Sequence, residues 1–300
     1  MKFYLETRVS ISDFLFAPST YFLVIDEKFA LWLSPQYAAS RDQFYYKKSQ
    51  DAGFQKHTEG TCQWLTRDPR FQNWLKDPAP NILWIKGDSS SGKTITMTYA
   101  VHELLYGKIS PLIPGCQIIY FFCSQTANDI NLTDFEAILR TLLFQLWKLS
   151  KDDLALREVW KAAKESPDLD SEKVKWKFWS NLLKKVLTAF SAPVYVIIDA
   201  VDESDNPNDL ARELNQLRSL DKVKILFSSR PDNKSIVKHM QGVESISISK
   251  IDTNRDMRLH IQQRLTENTP ELNSTPISEE FKREIEDTLI TKANGLYEPV

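Results

Sequence analysis

Three clusters in this chain have residue types and spacings suited to phosphate chemistry. The first is Gly87-Asp88-Ser89-Ser90-Ser91-Gly92-Lys93-Thr94, which fits the pattern G-x-x-x-x-G-K-[ST]. Gly87 and Gly92 allow backbone angles that a side chain would forbid, so successive loop N–H groups can form an anion nest. Lys93 is placed to reach β- and γ-phosphates, the Thr94 hydroxyl to ligate Mg²⁺, and Ile95 to carry the loop into a helix. The second cluster is Asp199, Asp202 and Glu203, within five residues of one another. Asp199 is expected to hold Mg²⁺, and the two acids after it to project toward the γ-phosphate. The bland alternative is a solvated acidic turn, Asp-Glu-Ser-Asp-Asn-Pro. Arg230, the third, is a bidentate donor that could sense the γ-phosphate, or a surface arginine before the Pro231 turn.

The elements that must position these groups are legible on either side of them. Ile82-Leu83-Trp84-Ile85 reads as a buried parallel strand leading into the glycine loop. A helix is expected from Lys93 to about Leu105, so that its N-terminus adds partial positive charge at the loop. Val194 to Asp199 and Lys222 to Ser228 read as further buried strands whose tips carry Asp199 and Arg230, where ligands of open α/β sheets bind. Gln117–Cys123 and Val243–Ile248 complete the expected strands. Between them, Thr133 and Glu136 suggest a capping box opening a helix from Asn131, with Leu139, Leu142 and Leu146 on its apolar face. Two more amphipathic helices are expected near Asp152–Lys164 and Ser171–Phe190. Upstream, helices at Thr61–Leu65 and Phe71–Leu75 flank the break at Asp68-Pro69, and a functional reading puts this segment beside the nucleotide base. Asn254–Leu265 and Ser278–Thr291 read as helices at the far end. Tyr21–Ile25 and Glu27–Leu33 suggest a short strand and helix without chemistry.

Composition narrows the field. With 42% hydrophobic residues and a net charge of −2, the chain resembles an ordinary soluble globular protein with no basic excess for nucleic acid. Cys62, Cys116 and Cys123 form no C-x-x-C pair, favouring a reduced, cytoplasmic setting. Glu6, Arg8 and Asp13 interrupt any secretion signal, and no stretch is expected to span a membrane.

Trp84-Ile85-Lys86-Gly87 into Gly92-Lys93-Thr94, then Asp199 to Glu203, then Ser228-Ser229-Arg230-Pro231, together resemble the NACHT NTPases in their filamentous-fungal branch. Thr61 to Leu65 and Leu139 to Leu146 are similar to that branch as well, and the resemblance covers about residues 41–295. It implies an α/β P-loop NTPase fold with a central, mainly parallel sheet flanked by helices, a short helical lead and a helical lid. The implied division is an arm over 1–40, a lead-in over 41–80, the NACHT core over 81–250 and a partial lid over 251–300. It implies a STAND-class signalling switch that binds and slowly hydrolyses ATP or GTP with Mg in immune-like or heterokaryon-incompatibility pathways. By position, Lys93 and Thr94 hold phosphate and Mg²⁺, Asp199 is the metal-associated acid, Glu203 the water-activating acid and Arg230 the first sensor. Self-association, or assembly with full-length NACHT relatives, is the implied partnership. The family's effector module, winged helix and repeats have no match here, so fast nucleotide exchange without a stable autoinhibited form is expected. Asp88-Ser89-Ser90-Ser91 also replaces the usual proline and glycine of the loop. Two rival readings remain: a non-hydrolysing, nucleotide-stabilised scaffold or decoy, and a metabolic P-loop kinase, for which neither acceptor pocket nor basic lid is seen.

Overall fold

Alternation of apolar runs with amphipathic stretches folds, in the computed structural model, into a parallel sheet with helices on its faces. Residues 33, 58–78, 81–125, 132–150, 153–165, 175–267 and 278–293 are described. The chain divides into two units, Met1–Arg41 and Asp42–Val300, and every element below belongs to the second. The strand and helix expected within residues 21–33 lie outside the described residues, apart from Leu33.

Two short helices come first, α1 (Gln63–Arg67) and α2 (Pro69–Lys76). Asp68 separates them as expected, and its side chain accepts a hydrogen bond from Arg70 N as the cap of α2. Strand β1 (Ile82–Lys86) leads through the glycine loop into α3 (Lys93–Leu105), and β2 (Gln117–Phe122) follows. Then come α4 (Phe135–Leu149), α5 (Leu154–Lys164), α6 (Lys175–Ala189) and β3 (Val194–Asp199). A single 3-10 turn, Val201–Glu203, precedes α7 (Pro207–Leu217), β4 (Val223–Ser229), α8 (Lys234–His239) and β5 (Glu244–Ser247). The described chain ends in α9 (Lys250–Glu267) and α10 (Glu279–Ala293), tied together by Arg258 donating to Glu286 at 2.5 Å and Asp287 at 3.1 Å.

The sheet order is β2-β3-β4-β1-β5, with all neighbours parallel. Parallel sheets need cover on both faces, which explains why every residue of β3 and β4 is buried. Helix α3 crosses β2, β3 and β4, and α4 lies against β2 and α6. The lead-in joins this core through Trp74, which packs edge-on to Tyr195 with centroids 5.5 Å apart, while Tyr195 Oη donates to Leu75 O at 3.0 Å.

Two features differ from expectation. Asp134, rather than Thr133, caps α4 by accepting from Glu136 N and Ala137 N. Thr133 instead offers its carbonyl to Asp205 N, and Glu136 turns its carboxylate to Arg140 and Trp179. A capping box needs its hydroxyl residue at the N-cap, and the chain starts helical geometry one residue later. Helices α7 and α8 were also not foreseen. Asn206-Pro207 reads as a turn, yet Asn206 caps α7 through Asp209 N, and Pro207 sits in the first helical turn, which dispenses with a backbone donor.

An edge strand exposes a row of backbone groups, and β2 is an edge. Gln145 of α4 covers it: Oε1 accepts from Tyr120 N at 3.0 Å and Nε2 donates to Tyr120 O at 2.8 Å. Gln145 is itself buried. Gln145→Met keeps the volume but strands both Tyr120 groups, so a loss of about 1–3 kcal/mol in urea unfolding is expected.

Candidate functional site

The tips of β1, β3 and β4 meet at one end of the sheet, and all three sequence clusters arrive there. Gly87 N donates to Ser229 O at 3.3 Å, the last rung between β1 and β4. A Cβ on Gly87 would lie 2.2 Å from Ser91 Oγ, so a side chain there would require Ser91 to move. The loop then turns through positive φ at Ser90 (57°) and Gly92 (86°). Asp88 and Ser89 are exposed, which leaves the Asp88 carboxyl on the solvent face of the loop. Ser91 is buried, and its Oγ has no partner among the described residues. Gly92 caps α3 without a side-chain hydrogen bond, so the first-turn N–H groups of a 13-residue helix are left for another acceptor.

Lys93 Nζ curls over the loop, donating to Gly87 O at 2.9 Å and Asp88 O at 2.7 Å. Burial lowers its pKa, against the opposing pull of Asp202 and Asp199. Thr94 is exposed at the start of α3, and Ile95 is half-buried one residue on.

Asp199 is fully buried at the end of β3. Its Oδ1 accepts from Ser228 Oγ at 2.5 Å, and its Oδ2 has no hydrogen-bond partner among the described residues. Burial raises its pKa from 3.8 to about 6; the bond from Ser228, the nearby Thr94 hydroxyl and the Lys93 charge pull the other way. The next residue, Ala200, adopts left-handed angles (φ 52°, ψ 50°), rare for a residue with a Cβ. That twist starts the 3-10 turn and aims its acids. Asp202 takes Arg230 in two places, from the backbone N at 3.2 Å and from Nε at 3.3 Å. Glu203 Oε2 accepts from Gln125 N at 3.0 Å.

On the other side of the loop is a shallow, open cleft lined by Cys62, Trp64, Gly92, Ile95, Ile248 and Asp256 among others. Asp256 Oδ2 anchors its outer wall, accepting from Cys62 N at 3.0 Å and Trp64 Nε1 at 3.2 Å. Burial and the Asp256 charge push the Cys62 thiol up to about 12, so it is inert as a nucleophile. All three cysteines are free.

Every residue singled out in the sequence therefore falls at this end of the sheet. Asp202 and Arg230 form a pair, Glu203 faces the β2 exit, and Lys93 rests on loop carbonyls. Sequence reasoning missed Ser228, Ala200, Gln125 and Asp256. Ser228-Ser229 did carry a signal: two hydroxyls end an otherwise apolar strand, and a polar group in such a place needs a partner. No cluster of three or more His, Cys, Asp or Glu that could hold a metal occurs among the described residues. Magnesium needs none, since it keeps several waters and takes one or two carboxylates plus phosphate oxygens. The unpartnered Asp199 Oδ2 beside the Thr94 hydroxyl fits that donor set.

The raised pKa of Asp199 gives the ligand-free protein a pH-dependent stability. Folded Asp199 keeps its proton between 3.8 and about 6, whereas the unfolded residue loses it. The folded state binds more protons in that window, so unfolding free energy falls as pH rises through it. Asp256 contributes in the same direction. Asp199→Asn is neutral throughout and is expected to flatten part of this slope and to melt above the parent at neutral pH. Melting curves of both proteins from roughly pH 4 to 7 check this.

Comparison with known proteins shows what the chain is similar to. Vegetative incompatibility protein HET-E-1 of Podospora anserina is 26% identical over 251 residues, which cover 78% of this chain and 17% of that protein. The chain thus spans about a sixth of that relative's length. Among solved structures, Aeropyrum pernix ORC1 in complex with DNA covers 78% of this chain and 53% of its own, at 11% identity and a TM-score of 0.40. PCH-2 of C. elegans covers 82% and 62%, at 13% identity and a TM-score of 0.38. The family model described as Nephrocystin 3, N-terminal matches residues 60–230, from the lead-in to Arg230, more than half of the chain. With its glycine loop, buried β3 acid and parallel sheet inside that span, the chain is a NACHT-like P-loop protein and belongs to the Nephrocystin 3, N-terminal family.

Proposed function

We propose that this chain is a nucleotide-dependent signalling switch that binds ATP or GTP with Mg and hydrolyses it slowly. The observation that carries the reading is the meeting, at one end of the sheet, of a nest-forming loop with a buried carboxylate whose Oδ2 is unpartnered among the described residues. A loop alone suits any anion, and a buried acid alone is a structural cost. Together they suit a phosphate chain with its cation.

Sheet order gives the bound nucleotide a direction. Strands β3 and β4 lie on one side of β1, and β5 lies on the other. The terminal phosphate then faces Asp199, Asp202, Glu203 and Arg230. The nucleoside extends toward β5 and the cleft between Trp64, Ile95 and Asp256, beside the lead-in. The loop N–H groups of Gly87 to Gly92 and the Lys93 ammonium bind and orient the phosphates. Thr94 and Asp199 hold Mg²⁺, which supplies charge neutralisation between the terminal phosphates. Glu203 positions the attacking water, and Arg230, released from Asp202, stabilises charge on the terminal group. Rate enhancement comes from positioning and charge, so weak turnover is the expected behaviour.

Similarity to a vegetative incompatibility protein supports a signalling role of the incompatibility type; a cytoplasmic setting and self-association or assembly with larger relatives are part of the proposal. One observation favours the non-hydrolysing scaffold as the second reading. The Glu203 carboxylate is already engaged by Gln125 N, and water activation needs it to let go.

Lys93→Ala removes charge-assisted contacts that no neighbour replaces. A loss of about 1.5–3 kcal/mol, roughly ten- to a hundredfold in affinity for ATP or GTP, is expected by calorimetry. Unchanged affinity would remove Lys93 from the site. Glu203→Gln is expected to retain Mg-nucleotide binding and abolish phosphate release. If Asp202→Asn does so instead, the two acids exchange roles, and if neither parent nor variant turns over, the scaffold reading stands.

A further inference from the structure

The group that decides where Asp199 points is a hydroxyl on the neighbouring strand. Ser228 is fully buried one position before the end of β4, alongside the tip of β3. Its Oγ lies 2.8 Å from Ala200 N and 2.5 Å from Asp199 Oδ1. An amide N–H can only donate, so Ser228 must accept there, and its single hydrogen is committed to Asp199. The hydroxyl therefore has no freedom to turn. It fixes one carboxylate oxygen, while Oδ2, near the Thr94 hydroxyl, has no hydrogen-bond partner among the described residues. Through the same atom it holds Ala200 in left-handed geometry, the residue from which the turn bearing Asp202 and Glu203 starts.

Resting on the nucleotide-binding reading above, we infer that Ser228 is a positioning residue for the metal: its hydroxyl holds Asp199 Oδ1 so that Oδ2 faces the nucleotide-bound Mg²⁺. It touches neither substrate nor metal and acts through Asp199 and Ala200.

The test is binding of a fluorescent ATP or GTP analogue to the full chain, titrated with Mg²⁺ and repeated in EDTA. In Ser228→Ala the Mg²⁺ concentration at half-saturation is expected to rise about tenfold, as for loss of a hydrogen bond to a charged group, while affinity in EDTA stays within about twofold. Ser228→Cys preserves volume but donates weakly, and is expected to follow Ala even if the Ala variant fails to fold. Ser228→Thr keeps the hydroxyl and is expected to restore the parent's Mg²⁺ requirement. Asp199→Asn serves as reference and should abolish Mg²⁺ dependence. An equal loss with and without Mg²⁺ in the Cys variant makes Ser228 merely structural and overturns the inference. An unchanged Mg²⁺ requirement in Ser228→Cys, with Asp199→Asn impaired, overturns it and leaves the nucleotide reading intact. If Asp199→Asn is as Mg²⁺-responsive as the parent, both the metal assignment and this inference fall.

Discussion

A carboxylate taken wholly out of water at the tip of β3 sets the terms for its surroundings. Burying such a group is costly unless its charge is met, and here Ser228, Thr94 and Lys93 meet it only in part. Its pKa stays high for an aspartate, and one oxygen keeps no partner among the described residues. The arrangement is a buried, half-satisfied carboxylate held in place by strand packing. Rigidity comes from the sheet: β3 and β4 pair in register to Ile198 and Phe227, and every residue of both strands is buried. On the proposed reading, a site whose supports are fixed in this way would be preorganised for the cation.

The same logic accounts for the cations. Lys93 and Arg230 each rest on protein acceptors, Lys93 on two loop carbonyls and Arg230 on Asp202. Neither contact is strong: carbonyls are neutral, and the Arg230 side chain is 49% exposed, where ion pairs are weak. On the proposed reading, a multiply charged phosphate would outcompete both, so the resting contacts keep the cations nearby without locking them away. The third wall depends on a longer reach. Asp256 of α9 binds the backbone of Cys62 and the indole of Trp64, almost two hundred residues earlier in the chain, and so joins lid and lead-in across one cleft. Movement of α9 would reshape that cleft, which on the proposed reading borders the nucleoside.

Local patterns by themselves determined much of this protein. Four apolar runs are strands because burial suits them, β5 follows from its alternating pattern, and the glycine loop between a strand and a helix follows from spacing alone. Gly87, Lys93, Asp199, Glu203 and Arg230 were found from residue type and position relative to strand ends. Their convergence follows from the parallel pairing that places those ends together. What the sequence left undecided is pairing between residues far apart in the chain. That Asp199 is satisfied on one oxygen only, that Ala200 twists to the left, that Gln145 seals the edge strand, and that Asp256 closes the cleft are all contacts across 25 to 194 positions or their consequences. A hydrogen-bond partner is chosen by where strands and helices pack, and no local periodicity encodes that choice. The misplacement of the α4 cap at Thr133 has the same origin. Asp205, seventy positions downstream, claims the Phe135 amide while its own backbone N–H takes the Thr133 carbonyl, and only the tertiary fold brings that segment there.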